Sequence, residues 1–397
     1  MTRDATKLRR VLLIIDSYPP VLGGSEIEAQ RVSAGLIRRG HKVQVICAGG
    51  PPMPAVRNWI DPEGVPVRIL TRRSRGRWRD AVFAARVAWT IWRERNRYDI
   101  VYFLMQGLHL AAGLPIARVL RKPMVMKIGG STVIPFMRQS RAGRRELNWL
   151  QQWKIPVMVV NEGMIDEALA DGFTRDQLVW MPNPVDVDVF RPARAEEAVE
   201  WRAPHDIPLE ANVAIYVGRL SSEKGLPVLL RGFAIAAQQI PDAVLVLVGD
   251  GALRPELETL ARELKLAPGQ IRFTGRVPIE EVPRWLRASD VYALTSPSEG
   301  FSCALLEAMS VGLPSVVSAI PANLQLIEDQ VHGIAVPWDD EQTLGAAFLR
   351  LFGNRDLRKT MGKAARERVV ENYATDQVLD RYENLFGDLM RQRRDHN

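Results

Sequence analysis

Short, continuously apolar runs rich in Val and Ile recur along this chain, each followed by a longer stretch with helical spacing. VLLIID (11–16) precedes a helical pattern over 26–39 and then KVQVIC (42–47). DIVYFL (99–104) precedes a pattern over 108–120 and then PMVMKI (123–128), and VMVV (157–160) precedes a short helix over 164–170. A strand that is apolar at every position is buried on both faces, which happens where helices cover both sides of a parallel sheet. The rhythm then restarts: VAIYVG (213–218), a helix over 226–239, AVLVLVG (243–249), a helix over 254–264, then IRFTG, VYALT and PSVVS. Two such units predict an α/β protein of two doubly wound, Rossmann-like domains facing each other across a cleft. A length of 397 residues, too great for one typical core, agrees.

The spacing places the domains at 1–185 and 186–375, with a C-terminal helix and tail over 376–397. The stretch 182–208, rich in proline and charge and without a sustained period, reads as the linker. A last helix over 377–391 carries Val378, Leu379, Tyr382, Leu385, Phe386 and Leu389 on one side, so it must dock on one of the domains.

Cysteine and charge narrow the setting. Cys47 and Cys303 are the only cysteines, which excludes a disulfide framework and a Cys-based zinc cluster and fits a reducing compartment. The apolar run after the basic start ends at Asp16, so it reads as a strand rather than a leader. No stretch has the length of a membrane span, and a cytoplasmic protein is expected. Residues 1–185 hold 29 Lys and Arg against 15 Asp and Glu, while residues 186–397 hold 24 against 31. The basic first half suits contact with an anionic surface, a lipid-linked phosphate or a charged glycan; arginine on solvent faces explains it as well. Within it, residues 72–97 set basic flanks around Trp78, Phe83, Trp89 and Trp92. That pattern fits a helix lying on an anionic bilayer, or a crossover helix packed on the first sheet, the reading its all-round apolar distribution favours.

The chemistry-bearing segments all follow strands, where ligands of open parallel sheets collect. Gly23 and Gly24 open the helix at Glu26, and glycines there let backbone N–H groups approach a phosphate at a helix N-terminus; a tight turn is the plainer reading. Gly218-Arg219-Leu220-Ser221-Ser222-Glu223-Lys224-Gly225 sets an arginine and a lysine on one loop, suited to a diphosphate or simply solvated. Most specific is Ser296-Pro297-Ser298-Glu299-Gly300-Phe301-Ser302-Cys303-Ala304-Leu305-Leu306-Glu307, with Ser302 the expected N-cap. Eight helical steps leave an offset of about 80°, so Glu299 and Glu307 suit two ends of one ligand rather than one face. Glu307 stands inside the apolar run ALLEAM, an uncomfortable place for a surface acid.

This arrangement resembles glycosyltransferase family 4, whose signature is two glutamates separated by seven residues. The segments LGGSEIEAQRVSAGLIRRGHKVQVI, MPNPVDVDVFRP, YVGRLSSEKG, LVLVGDG, FTGRV and EAMSVGLPSVVS agree with it over residues 12–338. The resemblance implies the GT-B architecture, a C-terminal helix crossing back to the first domain, and retaining transfer from a nucleotide sugar without metal or other cofactor. It implies that Arg219 and Lys224 neutralise the leaving diphosphate, Glu307 holds the ribose, and Glu299 holds the transferred sugar. Backbone at Gly300, Phe301 and Ser302 completes that pocket, Gly24 contacts phosphate from the first domain, and the chain near Val277 meets the base. Gly23, Gly218 and Gly249 count with the donor-binding positions. UDP is the first expected nucleotide and GDP the next; the acceptor is a hydroxyl of a glycan, lipid-linked or small molecule, and nucleic acid is not expected.

Two positions depart from the family pattern. Many members carry a histidine where KIGGS (127–131) has Gly129, so Lys127 or His109 is expected on the acceptor side. His109 also reads as an ordinary turn or core histidine. Asn183-Pro184 replaces the usual Asn-Gly at the hinge. Among other readings, a nicotinamide-dependent enzyme fails because Arg254 stands where the third glycine of GxGxxG would follow Gly249 and Gly251. A GT-B synthase, phosphorylase or hydrolase, or a non-catalytic membrane-associated protein that binds nucleotide sugars, remains open.

Overall fold

The computed structural model describes residues 8–395 apart from 22, 50–52, 54–55, 72–75, 131–132 and 195. The basic residues noted at 1–7 and in 72–75 therefore lie outside the described residues.

The chain forms two compact units, one of residues 1–184 with 375–397 and one of residues 185–374. In the first, β1 (Arg10–Ile15), β2 (Lys42–Ala48), β3 (Asn58–Ile60), β4 (Pro66–Thr71), β5 (Ile100–Leu104), β6 (Met124–Ile128), β7 (Val157–Val159) and β8 (Leu178–Trp180) make one sheet. Its order is β3-β4-β2-β1-β5-β6-β7-β8. All pairings are parallel except that of β3, which runs antiparallel to β4 at the edge. That edge pair lacks the continuous apolar pattern and escapes a periodicity reading. β5 and β6 are buried at every position, as their unbroken apolar sequence requires.

The final helix, Thr375–Asp395, belongs to this first unit. Val378, Leu379, Tyr382, Leu385, Phe386 and Leu389 are all buried in its core beside Val32 and Leu36 of the helix Gly24–Arg38. Each such side chain contributes about 1.5–3 kcal/mol on burial. The fit is close: a Cβ on Gly35 would stand 2.5 Å from Leu379 Cδ1. Arg39 fastens the first turns by binding Asp376 (2.9 Å), Asp380 (2.7 Å) and Glu383 (3.0 Å).

In the second unit β9 (Val213–Val217), β10 (Val244–Val248), β11 (Ile271–Gly275), β12 (Val291–Leu294), β13 (Ser315–Ser318) and β14 (Gly333–Val336) run parallel in the order β11-β10-β9-β12-β13-β14. The helices Leu226–Gln239 and Glu341–Phe352 pack so closely that a Cβ on Gly232 would lie 2.5 Å from Leu344 Cδ2.

Most of the expected linker is part of this unit. From Val185 onward the chain packs into it, and residues Glu197–Arg202 form a short helix. Arg202 is buried there, donating to the carbonyls of Ala288, Leu209 and Ala211 and to Asp290 Oδ2 at 2.9 Å. Proline and charge in this stretch mark a strap with its own hydrogen bonds, which composition alone does not distinguish from a linker.

The helix Arg77–Arg93 covers the sheet of the first unit with Phe83, Val87 and Ile91, and leaves Trp78, Trp89 and Trp92 exposed. It is a crossover helix whose tryptophans face outward rather than into the sheet. Among the described residues no helix is long and apolar enough to cross a membrane.

Candidate active site

In an open α/β sheet the crevice opens where the strand order reverses, because neighbouring connections there depart to opposite faces. In the second unit that point lies between β9 and β12. The loops that follow these two strands are the ones carrying Gly218–Gly225 and Ser296–Ser302.

Close approaches at three glycines shape this edge. A Cβ on Gly249 would lie 1.9 Å from the Gly218 carbonyl oxygen, and one on Gly218 would lie 2.6 Å from the Tyr216 hydroxyl. A Cβ on Gly225 would lie 2.2 Å from the Thr295 carbonyl, and its φ of +62° is left-handed, so glycine suits the position twice. Thr295 Oγ1 donates to the Gly225 carbonyl at 3.0 Å, tying the first loop to the end of β12.

The tie brings Lys224 to Glu299: the ammonium donates to Glu299 Oε1 at 2.7 Å. Glu299 retains 10% side-chain exposure and Lys224 25%, so the pair sits at the edge rather than in the core. Arg219 projects into solvent and makes no ion pair or side-chain hydrogen bond among the described residues. Ser302 caps the helix Cys303–Val311, accepting from the Leu305 N–H at 3.2 Å. Glu307, the fifth residue of that helix, is nearly buried. Burial, Tyr216 and the carboxylates of Glu299 and Glu307 together push the Tyr292 phenol well above its ordinary range. Phe301 packs near Tyr373, with ring centroids 6.2 Å apart, and Val277 is half-buried just after β11. Gly218, Arg219, Lys224, Gly249, Val277, Glu299, Gly300, Phe301, Ser302 and Glu307 thus all belong to strand-end loops, or the helix start that follows, along one edge of this unit.

The first unit has its own reversal, between β1 and β5, and a cavity of about 570 Å³ opens there. Gly24 lines it, at the start of the helix capped by Gly23, as does His109 after β5. His109 is 3% exposed, and burial pulls its imidazole down to about 4. Its ring donates to the Met105 carbonyl, while Nε2 is buried and meets no partner among the described residues.

Lys127 does not reach this cavity. It is fully buried, bound to Glu28 and to Asn183 Oδ1 (3.1 Å), and Tyr382 of the final helix donates to the same Glu28 oxygen at 3.0 Å. Asn183 of the altered hinge pair is therefore a structural ligand of Lys127. Gly129 fits its place because a Cβ there would stand 2.9 Å from the Met105 sulfur.

Sequence reasoning missed Glu146, which also lines the cavity. It is 2% exposed on the helix Arg141–Gln152, and burial pushes its carboxyl up to about 7 against the opposing pull of the Ala111 N–H. A readable signal existed: Gly143, Glu146, Leu147 and Leu150 form the buried stripe at i, i+3, i+4 and i+7. Among the described residues no three His, Cys, Asp or Glu side chains cluster as a metal site requires.

Comparison with known proteins agrees with both sheets. Residues 22–189 match the Glycosyltransferase Family 4 model, and residues 198–368 match that of Glycosyl transferases group 1. A glycosyltransferase of Methanocaldococcus jannaschii is 24% identical over 394 residues, covering 95% of this chain and 97% of that one. The N-acetyl-alpha-D-glucosaminyl L-malate synthase of Bacillus anthracis is 23% identical over 389 residues, covering 95% and 97%. Among solved structures, Anabaena HepE in complex with UDP and glucose superposes with a TM-score of 0.79 at 19% identity, covering 96% of this chain and 100% of that one. The chain belongs to the family 4-like glycosyltransferases, with two Rossmann-like domains of the GT-B type.

Proposed function

We propose that the protein transfers a hexose from a UDP-sugar to an acceptor hydroxyl with retention of anomeric configuration and without a metal ion. The observation that carries this reading is the Lys224–Glu299 pair at the β9/β12 reversal. Anabaena HepE, a neighbour in fold, was solved with UDP and with UDP-glucose, which supports UDP as the nucleotide. In this reading Lys224 and the exposed Arg219 neutralise the diphosphate as the bond to the anomeric carbon breaks. Glu299 orients hydroxyls of the sugar and Glu307 those of the ribose; backbone at Gly218, Gly249 and Val277 and the cap at Ser302 complete the donor site. The acceptor oxygen attacks the face from which the phosphate leaves, and its proton passes to the departing phosphate oxygen. The acceptor binds in the first-unit cavity beside His109.

A thermal-shift panel of UDP, GDP, ADP and their sugars tests the donor, since a ligand at 100 times its Kd stabilises by about 2.7 kcal/mol. UDP and one UDP-sugar should raise the melting midpoint, and NMR of the product should show the donor's anomeric configuration. Inversion, loss of turnover in EDTA, or a shift with GDP alone would each count against the corresponding part.

A second reading concerns location. Trp89 and Trp92 are exposed with ring centroids 5.0 Å apart, Arg95 stands over Trp92, and a cleft of the same unit is lined by Arg57, Arg68, Arg93 and Arg97 with Glu94, which pairs with Arg68. This surface suits peripheral contact with an anionic bilayer from the cytoplasmic side. Pelleting with phosphatidylserine vesicles should retain the protein at low salt and release it at high salt; no retention at low salt would remove the idea.

A further inference from the structure

The cavity between the ends of β1 and β5 is built to receive hydrogen bonds. His109 Nε2 and Gln106 Oε1 are both buried acceptor atoms on its wall without a partner among the described residues. Leaving such an atom unpaired costs about 1–3 kcal/mol, so two on one wall mark a place where a ligand completes the bonding. The turn that presents them is unusual: Met105 has a φ of +73°, a conformation that a non-glycine residue seldom holds unless its surroundings impose it.

Charge on the same wall points one way. Among the described residues, Asp16, Glu26, Asp80 and Glu146 line the cavity against one cation, Arg79. Arg79 is already taken, at 2.8 Å from Asp16 and 2.7 Å from Asp80. Glu146 has no cationic partner among the described residues. The arginine cleft lies in another part of this unit, lined by Arg57, Arg68, Arg93 and Arg97, so the basic balance of the first half does not describe this cavity. Among the described residues, an incoming phosphate or carboxylate would find carboxylates and unpaired acceptors here and no free cation. A hydroxyl or an ammonium would find partners.

We propose that this cavity selects an acceptor that presents hydrogen-bond donors without negative charge, a neutral or amino-substituted polyol, with His109, Gln106 and Glu146 as its specificity-determining contacts. The inference rests on the reading of the cavity as the acceptor site and names the class of molecule it takes. Its volume of about 570 Å³ is within the range of small-molecule sites.

The test is calorimetric or saturation-transfer titration of the full chain with three probes: methyl α-D-glucoside, glucosamine and glucose 6-phosphate. The first two should bind at least about tenfold more tightly than the phosphate. His109→Phe and Glu146→Leu should each weaken them by about tenfold, the scale of one hydrogen bond to a buried group. Glu146→Leu removes a buried carboxyl without a cation, so it should fold at least as well as the parent; Glu146→Gln should keep the glucoside and weaken glucosamine. Equal or tighter binding of glucose 6-phosphate, unchanged affinity in both variants, or no saturable binding of either donor-rich probe in the millimolar range would overturn the proposal. UDP, titrated in parallel by thermal shift, separates the two failures. If UDP stabilises the protein while the probes disobey, only the acceptor class is wrong. If UDP has no effect, the glycosyl-transfer reading of the second unit is the one that fails.

Discussion

Lys224 and Glu299 are 75 positions apart in sequence, yet the ammonium of one donates to the carboxylate of the other at 2.7 Å. They meet because β9 and β12 are neighbours in the sheet while their connections leave in opposite directions, and because Thr295 binds the Gly225 carbonyl. The pair leaves the lysine's charge held at the strand ends, where the proposed reading puts the donor diphosphate.

Activity and stability should separate at this pair. An ion pair of this exposure contributes about 0–1 kcal/mol, so Lys224→Ala and Glu299→Ala should melt close to the parent. Each should lower kcat by about 10²–10³, the scale of a lost electrostatic contact in the transition state. UDP release from the selected donor gives the rate, and the double variant should lose less than the product of the two.

Gly249 should tolerate no side chain. A Cβ would sit 1.9 Å from the Gly218 oxygen at a φ of +134°, and the atoms it meets are all Gly218 backbone that cannot turn aside. Gly249→Ala should cost about 1–3 kcal/mol or more by overpacking and weaken donor binding. Urea denaturation followed beside UDP affinity would show both losses; a variant as stable as the parent would contradict the packing described.

Lys127 should behave as a structural residue. Removing one member of a buried ion pair costs about 3–5 kcal/mol, since the other charge remains. Lys127→Met should fall in that range, and adding Glu28→Gln should recover part of it, because the stranded carboxylate is gone. If Lys127→Met instead leaves the urea midpoint in place and abolishes turnover, its role is chemical.

His109 and Glu146 make opposed contributions to pH-dependent stability. His109 has a folded value near 4 against an ordinary 6.5, so its contribution is complete above 6.5 and is lost as pH falls toward 4. Glu146 has a folded value near 7 against 4.5, so its contribution is complete below 4.5 and is lost as pH rises through 7. Each slope approaches about 1.4 kcal/mol per pH unit, and the two oppose each other between 4.5 and 6.5. Relative to the parent, Glu146→Gln should therefore gain stability with rising pH, and His109→Gln should lose it. Urea midpoints across pH 4–8, compared between variants, test the signs; Asp16, Asp80 and Arg79, which also face His109, are the same in all of them, so their effect cancels in the comparison.

The amino-acid sequence by itself determined the repeated βα rhythm, because an unbroken apolar run such as Val244–Val248 can be satisfied only between two helical layers. It also determined the Ser302 cap and the one-sided apolar stripe of the final helix, which are local in spacing. Periodicity did not reveal the β3–β4 edge or the strap at 185–208, whose order comes from partners such as Ala288 and Asp290 far along the chain. Tertiary structure alone decided which residues share a site. It joined Lys224 to Glu299, withdrew Lys127 into a pair with Glu28, and turned Glu146 from a helix acid into the wall of a cavity. Sequence spacing fixes which face of an element a residue occupies; which elements stand side by side, and hence which charges meet or lose their water, follows from the order of strands in the sheet.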